Sequence, residues 1–151
     1  MTHGISIGQR LPELEGLTPE GRATPISAHL GPRITLLFFM HGMWCPECVG
    51  QLHLLQRYRP RINAAGADIL VLTSDDLETL ETFLKSAVPP LEYTVLADPK
   101  RVTYQKIGAG GDTVAMVVDN KGVIRWLARW LDHQQEPGYD EILQALQGAA
   151  E

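Results

Sequence analysis

Only two cysteines occur among the 151 residues, Cys45 and Cys48. With two residues between them they close a very small loop, so a bridge would add little chain-entropy stabilisation; a structural staple would more usefully join distant segments. Long apolar runs are lacking too: the most apolar stretch, Ile34 to Met40, is far too short to span a bilayer. Basic charge is scarce. The 13 Lys and Arg against 18 Asp and Glu give a net charge of -5, which argues against nucleic acid or an anionic membrane surface as a main partner. The first residues, Met1 to Ser6, have neither the cationic start nor the apolar run of a leader, so a cytoplasmic location is the simplest expectation. No repeat, low-complexity tract or linker-like stretch interrupts the chain, which reads as one domain over residues 1–151.

What is present is an ordinary globular composition, 44% hydrophobic and 21% charged, in a chain long enough to bury a substantial core. Gly8 to Pro32 is rich in turn residues and reads as a short hairpin with a loop. Ile34 to Met40 has the near-continuous apolar character of a strand buried on both faces. A helix is expected from about Pro46 to Ala65, with Val49, Leu52, Leu55, Tyr58 and Ile62 on one face and Pro60 positioned to kink or shorten it. Asp68 to Thr73 is a second buried strand. Asp75 and Glu78 form a capping pair for the next helix, whose face is Leu77, Leu80, Phe83 and Leu84. Thr94 to Ala97 is a third strand, after which Asp98-Pro99 starts a helix carrying Val102, Tyr104 and Ile107. Two further strands, Val114 to Val118 and Val123 to Arg129, flank a turn at Asp119 to Gly122, and a last helix covers about Tyr139 to Leu146. The fold class is therefore α/β: a mixed sheet flanked by helices on both faces, with an N-terminal β-hairpin.

A strand that runs into a turn and then a helix places the turn at the carboxyl edge of the sheet, where α/β proteins carry their sites. Here that turn holds Cys45. A helix starting near Pro46 puts its sulfur beside unpaired backbone N–H groups and the positive end of the helix dipole, both of which favour the thiolate. Cys45 is thus the expected attacking sulfur. Cys48, one helical turn on and towards the apolar side, suits a buried resolving thiol of high pKa. Pro46 stiffens the first turn without removing a needed donor, and Trp44 is expected to cover the site and offer an apolar docking face. Two plainer readings stand beside this one. A zinc or copper site is the first: a Cys-x-x-Cys can be half a structural zinc site, but only two thiols exist, and His41 and His53 could complete it only through an unusual geometry. The other is a chance pair of core cysteines.

The Trp-Cys-Pro-x-Cys element after an apolar strand resembles thioredoxin-like proteins. The wider pattern resembles the peroxiredoxin group named for alkyl hydroperoxide reductase and thiol-specific antioxidant proteins. That resemblance is carried by Ile7 to Leu14, Phe38 to Cys48 and Met116 to Arg125. It implies a thioredoxin-like fold and an arginine in the active site, for which Arg125 falls at the matching place and Arg129 is the fallback; such a cation would stabilise the thiolate and the charge developing on a peroxide oxygen. The departures are specific. Peroxiredoxins carry a proline seven residues and a Thr or Ser three residues before the reactive cysteine, where this chain has Phe38 and Gly42. Thioredoxins carry an aspartate six residues before the first cysteine, where this chain has Phe39, leaving Glu47 and His41 as candidate proton acceptors for Cys48. Thr113 stands where thioredoxins have a proline facing the site.

The combined expectation is a thiol oxidoreductase cycling between a Cys45/Cys48 dithiol and disulfide, reducing either a hydroperoxide or a protein or small-molecule disulfide, and itself reduced by a thioredoxin- or glutathione-type partner. No cofactor or metal is expected beyond the cysteine pair. A non-catalytic redox sensor or a metal-binding thioredoxin-fold protein are the alternatives. Trp126 and Trp130 could line a homodimer surface or form one face of the core.

Overall fold

The computed structural model describes residues 5–131 and 136–150. The first four residues, part of the stretch read above as unlike a leader, lie outside the described residues. Among the described residues no helix is long and apolar enough to cross a membrane. A hairpin of β1 (Glu15–Leu17) and β2 (Ala23–Pro25) is followed by a 3-10 turn, Ile26–His29. Then come β3 (Ile34–Phe39), α1 (Pro46–Ala64), β4 (Ala67–Thr73), α2 (Leu77–Ser86), β5 (Thr94–Ala97), α3 (Val102–Lys106), β6 (Thr113–Val118), β7 (Ile124–Trp130) and α4 (Tyr139–Ala150).

The seven strands form one sheet in the order β2-β1-β5-β4-β3-β6-β7. β3, β4 and β5 are parallel, while β1, β6 and β7 join antiparallel to their neighbours. Central strands with cover on both sides read as near-continuous apolar runs, and every residue of β3 is buried, Thr35 being its one polar member. Their alternation sorts the core. Leu36 and Phe38 share one face with Leu52 of α1, Leu80 of α2 and Ile142 of α4. Leu37 and Phe39 share the other with Tyr104 of α3, Ile107 and Ile26. The mixed sheet with helices on both faces is as expected.

Four local readings need correction. α1 continues past Pro60 to Ala64 and is not ended early by it; Pro60 lies on the exposed face, so the carbonyl of Gln56 that loses its partner can turn to water. The cap of α2 is Asp76, whose carboxylate accepts from Thr79 N at 2.8 Å, rather than Asp75. α3 begins at Val102 and not at Pro99. Asp98 caps it from a distance, accepting from the backbone N–H groups of Val102, Thr103 and Tyr104. α4 continues beyond Leu146 to Ala150. Trp126 and Trp130 pack on the α1/α4 core, Trp130 edge-on to Phe38 at 6.3 Å, as the core-face reading expects.

Candidate active site

β3 ends at Phe39 in the middle of the sheet, and the chain crosses its carboxyl edge through residues 40–45 before entering α1. Four tethers fix that crossing. Met40 N donates to Leu72 O at 2.9 Å, extending the β3/β4 pairing by one residue. The Tyr104 hydroxyl, buried under the sheet, reaches the carbonyls of both Met40 and Leu72. Ser74 donates to the carbonyl of His41 through its backbone N–H (3.1 Å) and its hydroxyl (2.5 Å). Asp75, itself buried, accepts from Met43 N with both carboxylate oxygens, at 3.0 and 3.1 Å. The same carboxylate leaves no room at position 42, where a Cβ would stand 2.6 Å from Asp75 Oδ1. A residue with a side chain cannot sit at position 42 unless this carboxylate moves.

Cys45 is the N-cap of α1 and Pro46 its first residue, as the sequence suggested. The Cys45 side chain makes no capping hydrogen bond to the helix. It is buried, with 3% of its surface exposed. Cys48, 5% exposed, lies one turn inward as expected. Burial pushes the Cys48 thiol up to about 12; the backbone of Gly42 and of His41 pulls the other way by hydrogen bonding, and the adjacent Cys45 adds to the rise. Both cysteines are free thiols in this structure.

His41 completes the group. One of its ring nitrogens and the two sulfurs all lie within 4.8 Å of one another, and all three residues are buried. Its Nε2 is 2.7 Å from the carbonyl of Gly111, an acceptor, so Nε2 carries the hydrogen and Nδ1 the lone pair in the neutral ring. Trp44 stacks on the imidazole at 5.7 Å with the rings 3° from parallel and is itself 71% exposed, forming an outer layer over His41. His41 precedes the turn, yet its ring and the two sulfurs that follow the turn come together. His53 is elsewhere, against Phe83.

On the inner side, Thr113, Glu47, Cys48, Gln51, Met40 and Trp130 are among the residues lining a cavity of about 20 Å³, room for one water. Thr113 thus faces Cys48 and Glu47 borders the same space. Arg125 does not belong to the site. It lies at the opposite end of the sheet, because Ile124 pairs with Val118 and Val118 with Thr35, whereas the Cys45 end is marked by the pairing of Phe39 with Val114 and of Val114 with Arg129. Four residues of strand, roughly 14 Å at about 3.4 Å per residue, separate it from that end. Its Nε instead donates to Asp119 at 2.7 Å. Burial opposes the charge on Asp119, but the Arg125 guanidinium and the N–H groups of Val123 and Lys121 hold its carboxyl below the usual range. Arg129 is at the correct end and acts through the backbone. It donates to the carbonyls of Ile107 (2.8 Å) and Gly108 (3.2 Å) and pairs with Asp112 at 3.4 Å, holding the loop whose Gly111 carbonyl orients His41. Asp75, Ser74, Tyr104 and Arg129 are thus positioning residues that local sequence pattern did not single out, except for Arg129 as a fallback.

Comparison with known proteins bears on the family and the fold. The family model described as the AhpC/TSA family matches residues 7–127. A 1-Cys peroxiredoxin of Medicago truncatula is 31% identical over 105 residues, covering 65% of this chain and 47% of that protein, so the chain spans about half the length of the curated relatives it matches. Among solved structures, a cysteine-to-serine variant of peroxiredoxin 6 of Arenicola marina superposes with a TM-score of 0.83 at 15% identity, over 95% of this chain and 72% of that one. A putative thiol:disulfide interchange protein, DsbE, from Chlorobium tepidum gives 0.76 at 21% identity, over 95% of this chain and 99% of that one. Both likenesses are to the thioredoxin-type fold. With four-fifths of its length matched by the family model, the chain belongs to the AhpC/TSA family.

Proposed function

We propose that this protein is a thiol–disulfide oxidoreductase in which Cys45 attacks and Cys48 resolves. The observation that carries the reading is the asymmetric pair itself: one sulfur at the start of α1, its mate one turn deeper with a raised pKa, and both within 4.8 Å of a histidine nitrogen. In the first step the Cys45 thiolate attacks one sulfur of a substrate disulfide, forming a mixed disulfide and expelling the other sulfur as a thiolate. Cys48 then gives up its proton and attacks the Cys45 sulfur. The Cys45–Cys48 bond forms, the mixed disulfide breaks, and the second substrate thiolate leaves; the protein dithiol is oxidised by two electrons and the substrate disulfide is reduced by two. His41, whose Nδ1 holds the lone pair, is the better placed of the two acceptors considered for the Cys48 proton, since Glu47 is exposed and only borders the cavity beside it.

Peroxide reduction is the second reading, favoured by the family and by a relative named a 1-Cys peroxiredoxin. There the Cys45 thiolate attacks one peroxide oxygen and becomes a sulfenic acid as the O–O bond breaks, the other oxygen leaving as hydroxide or alkoxide that takes a proton from solvent; the Cys48 thiol then condenses with the sulfenic acid to the same disulfide, releasing water. Two observations weigh against it as the main activity: Gly42 supplies no hydroxyl to orient the peroxide, and Arg125 is engaged at the far end of the sheet. A thioredoxin- or glutathione-type thiol would regenerate the dithiol in either cycle. Stopped-flow Trp fluorescence of the reduced protein separates them. Rapid reduction of insulin disulfides with slow oxidation by hydrogen peroxide, both lost in Cys45→Ser, is expected; fast second-order oxidation by peroxide with no insulin reduction would reverse the order of the two readings.

A further inference from the structure

We infer that His41, Cys45 and Cys48 form a binding site for one Cu(I) ion. The site stands on the geometry of the reduced protein, and not on disulfide exchange, although it uses the same two sulfurs. Three observations converge. The imidazole nitrogen and the two sulfurs lie within 4.8 Å of one another, so a small inward movement of each would bring them onto a common ion. The imidazole is pre-oriented. Its Nε2–H is held by the Gly111 carbonyl at 2.7 Å, the arrangement that fixes tautomer and ring direction in metal-ligating histidines, and its ring is stacked on Trp44. All three donors are buried, so the site is closed to the solvent that a harder ion would retain.

The donor set selects the ion class. Two thiolates and one imidazole form a soft, three-coordinate set that suits Cu(I). Structural Zn(II) requires four ligands, and among the described residues this cluster offers three. Binding is an exchange of protons for metal: the two S–H bonds break, two Cu–S bonds and one Cu–N bond form, and two protons leave with no change of oxidation state. The product carries one net negative charge, which is matched by the positive end of the 19-residue helix α1 that begins beside Cys45. Occupancy and the Cys45–Cys48 disulfide are mutually exclusive because both consume the same sulfurs. Copper would therefore shield the dithiol from oxidation.

The test uses the intact, fully reduced protein under anaerobic conditions, titrated with Cu(I) against bicinchoninate, with no disulfide or peroxide present, so failure of the exchange reading does not affect it. The expected result is one Cu(I) retained per chain, a thiolate-to-copper charge-transfer absorption, and a shift of the His41 ring nitrogen in ¹⁵N spectra while His53 is unmoved. His41→Ala is expected to weaken retention at least tenfold; the wild-type nitrogen spectrum decides the matter even if that variant fails to fold. Loss of all copper to the chelator, copper bound with the His41 nitrogen unshifted, half an ion per chain, or displacement of Cu(I) by an equimolar amount of Zn(II) would each overturn the assignment.

Discussion

The carboxylate of Asp75 occupies the space that a side chain at Gly42 would fill: a Cβ there would stand 2.6 Å from Oδ1 and 3.1 Å from Cγ. The two residues are 33 apart in sequence but share one function, holding the turn that leads to Cys45, since Asp75 also accepts from Met43 N. Gly42→Ala is therefore expected to destabilise the protein by about 1–3 kcal/mol, the usual cost of forcing extra volume into a packed site. In an Asp75→Ala background the same change should cost much less. A double-mutant cycle in urea checks this, and equal costs in the two backgrounds would contradict the shared-space relationship.

Cys48 gives a pH dependence with a definite sign. Its thiol is raised from an ordinary value of 9.0 to about 12 in the folded protein, so the folded state holds the proton where the unfolded chain has lost it. The stabilisation is complete below the unfolded pKa and is lost as pH rises between 9.0 and about 12. Urea unfolding of the reduced protein should show stability falling across that window, with a shallower fall in Cys48→Ser. At pH 8, iodoacetamide should label Cys45 before Cys48.

Much of this was legible in the sequence. The strand–turn–helix around Cys45 follows from an unbroken apolar run and Pro46, and both are local signals. The inward position of Cys48 follows from its place on the apolar stripe of α1. What escaped was long-range. Asp75 looked like a helix cap because an acid just before an amphipathic segment fits a capping pattern, yet its neighbour Asp76 caps and Asp75 reaches across to Met43. Arg125 was misplaced because the strand that follows the Asp119 turn runs away from that turn towards the site, so the residue nearest the turn lies farthest from Cys45. The burial of Cys45 depends on how the whole of residues 40–45 is tied down by Tyr104, Ser74 and Asp75, all distant from that turn in sequence.

The two arginines are separable by experiment. Arg125→Ala should leave insulin reduction within twofold of the parent, and cost under about 1 kcal/mol because the guanidinium is half exposed. It should also flatten the acid limb of stability: the Asp119 carboxyl, held below its usual range, contributes above its unfolded pKa and loses that contribution as pH falls. Arg129→Ala should slow the reaction several-fold, because it frees the loop whose Gly111 carbonyl orients His41. Steady-state kinetics with both variants, alongside urea unfolding from pH 7 to pH 3, checks the contrast.

Cys45 is only 3% exposed, so reagents must wait for the turn to open or for Trp44 to swing off His41. A small alkylating agent should react faster than a bulky aromatic disulfide, and Trp44→Ala should narrow the difference. An unchanged ratio in that variant would place the cover elsewhere.

The most direct measurement is the mass of the species formed when Cys48→Ser meets one equivalent of a disulfide substrate, mapped by peptide digestion without reductant. A stable mixed disulfide on Cys45 is the predicted result, with the parent protein instead giving free substrate thiols and a Cys45–Cys48 bond. An adduct that forms only on Cys48, in the Cys45→Ser variant, or no adduct on Cys45 at all, would contradict the assignment of attacking and resolving sulfurs.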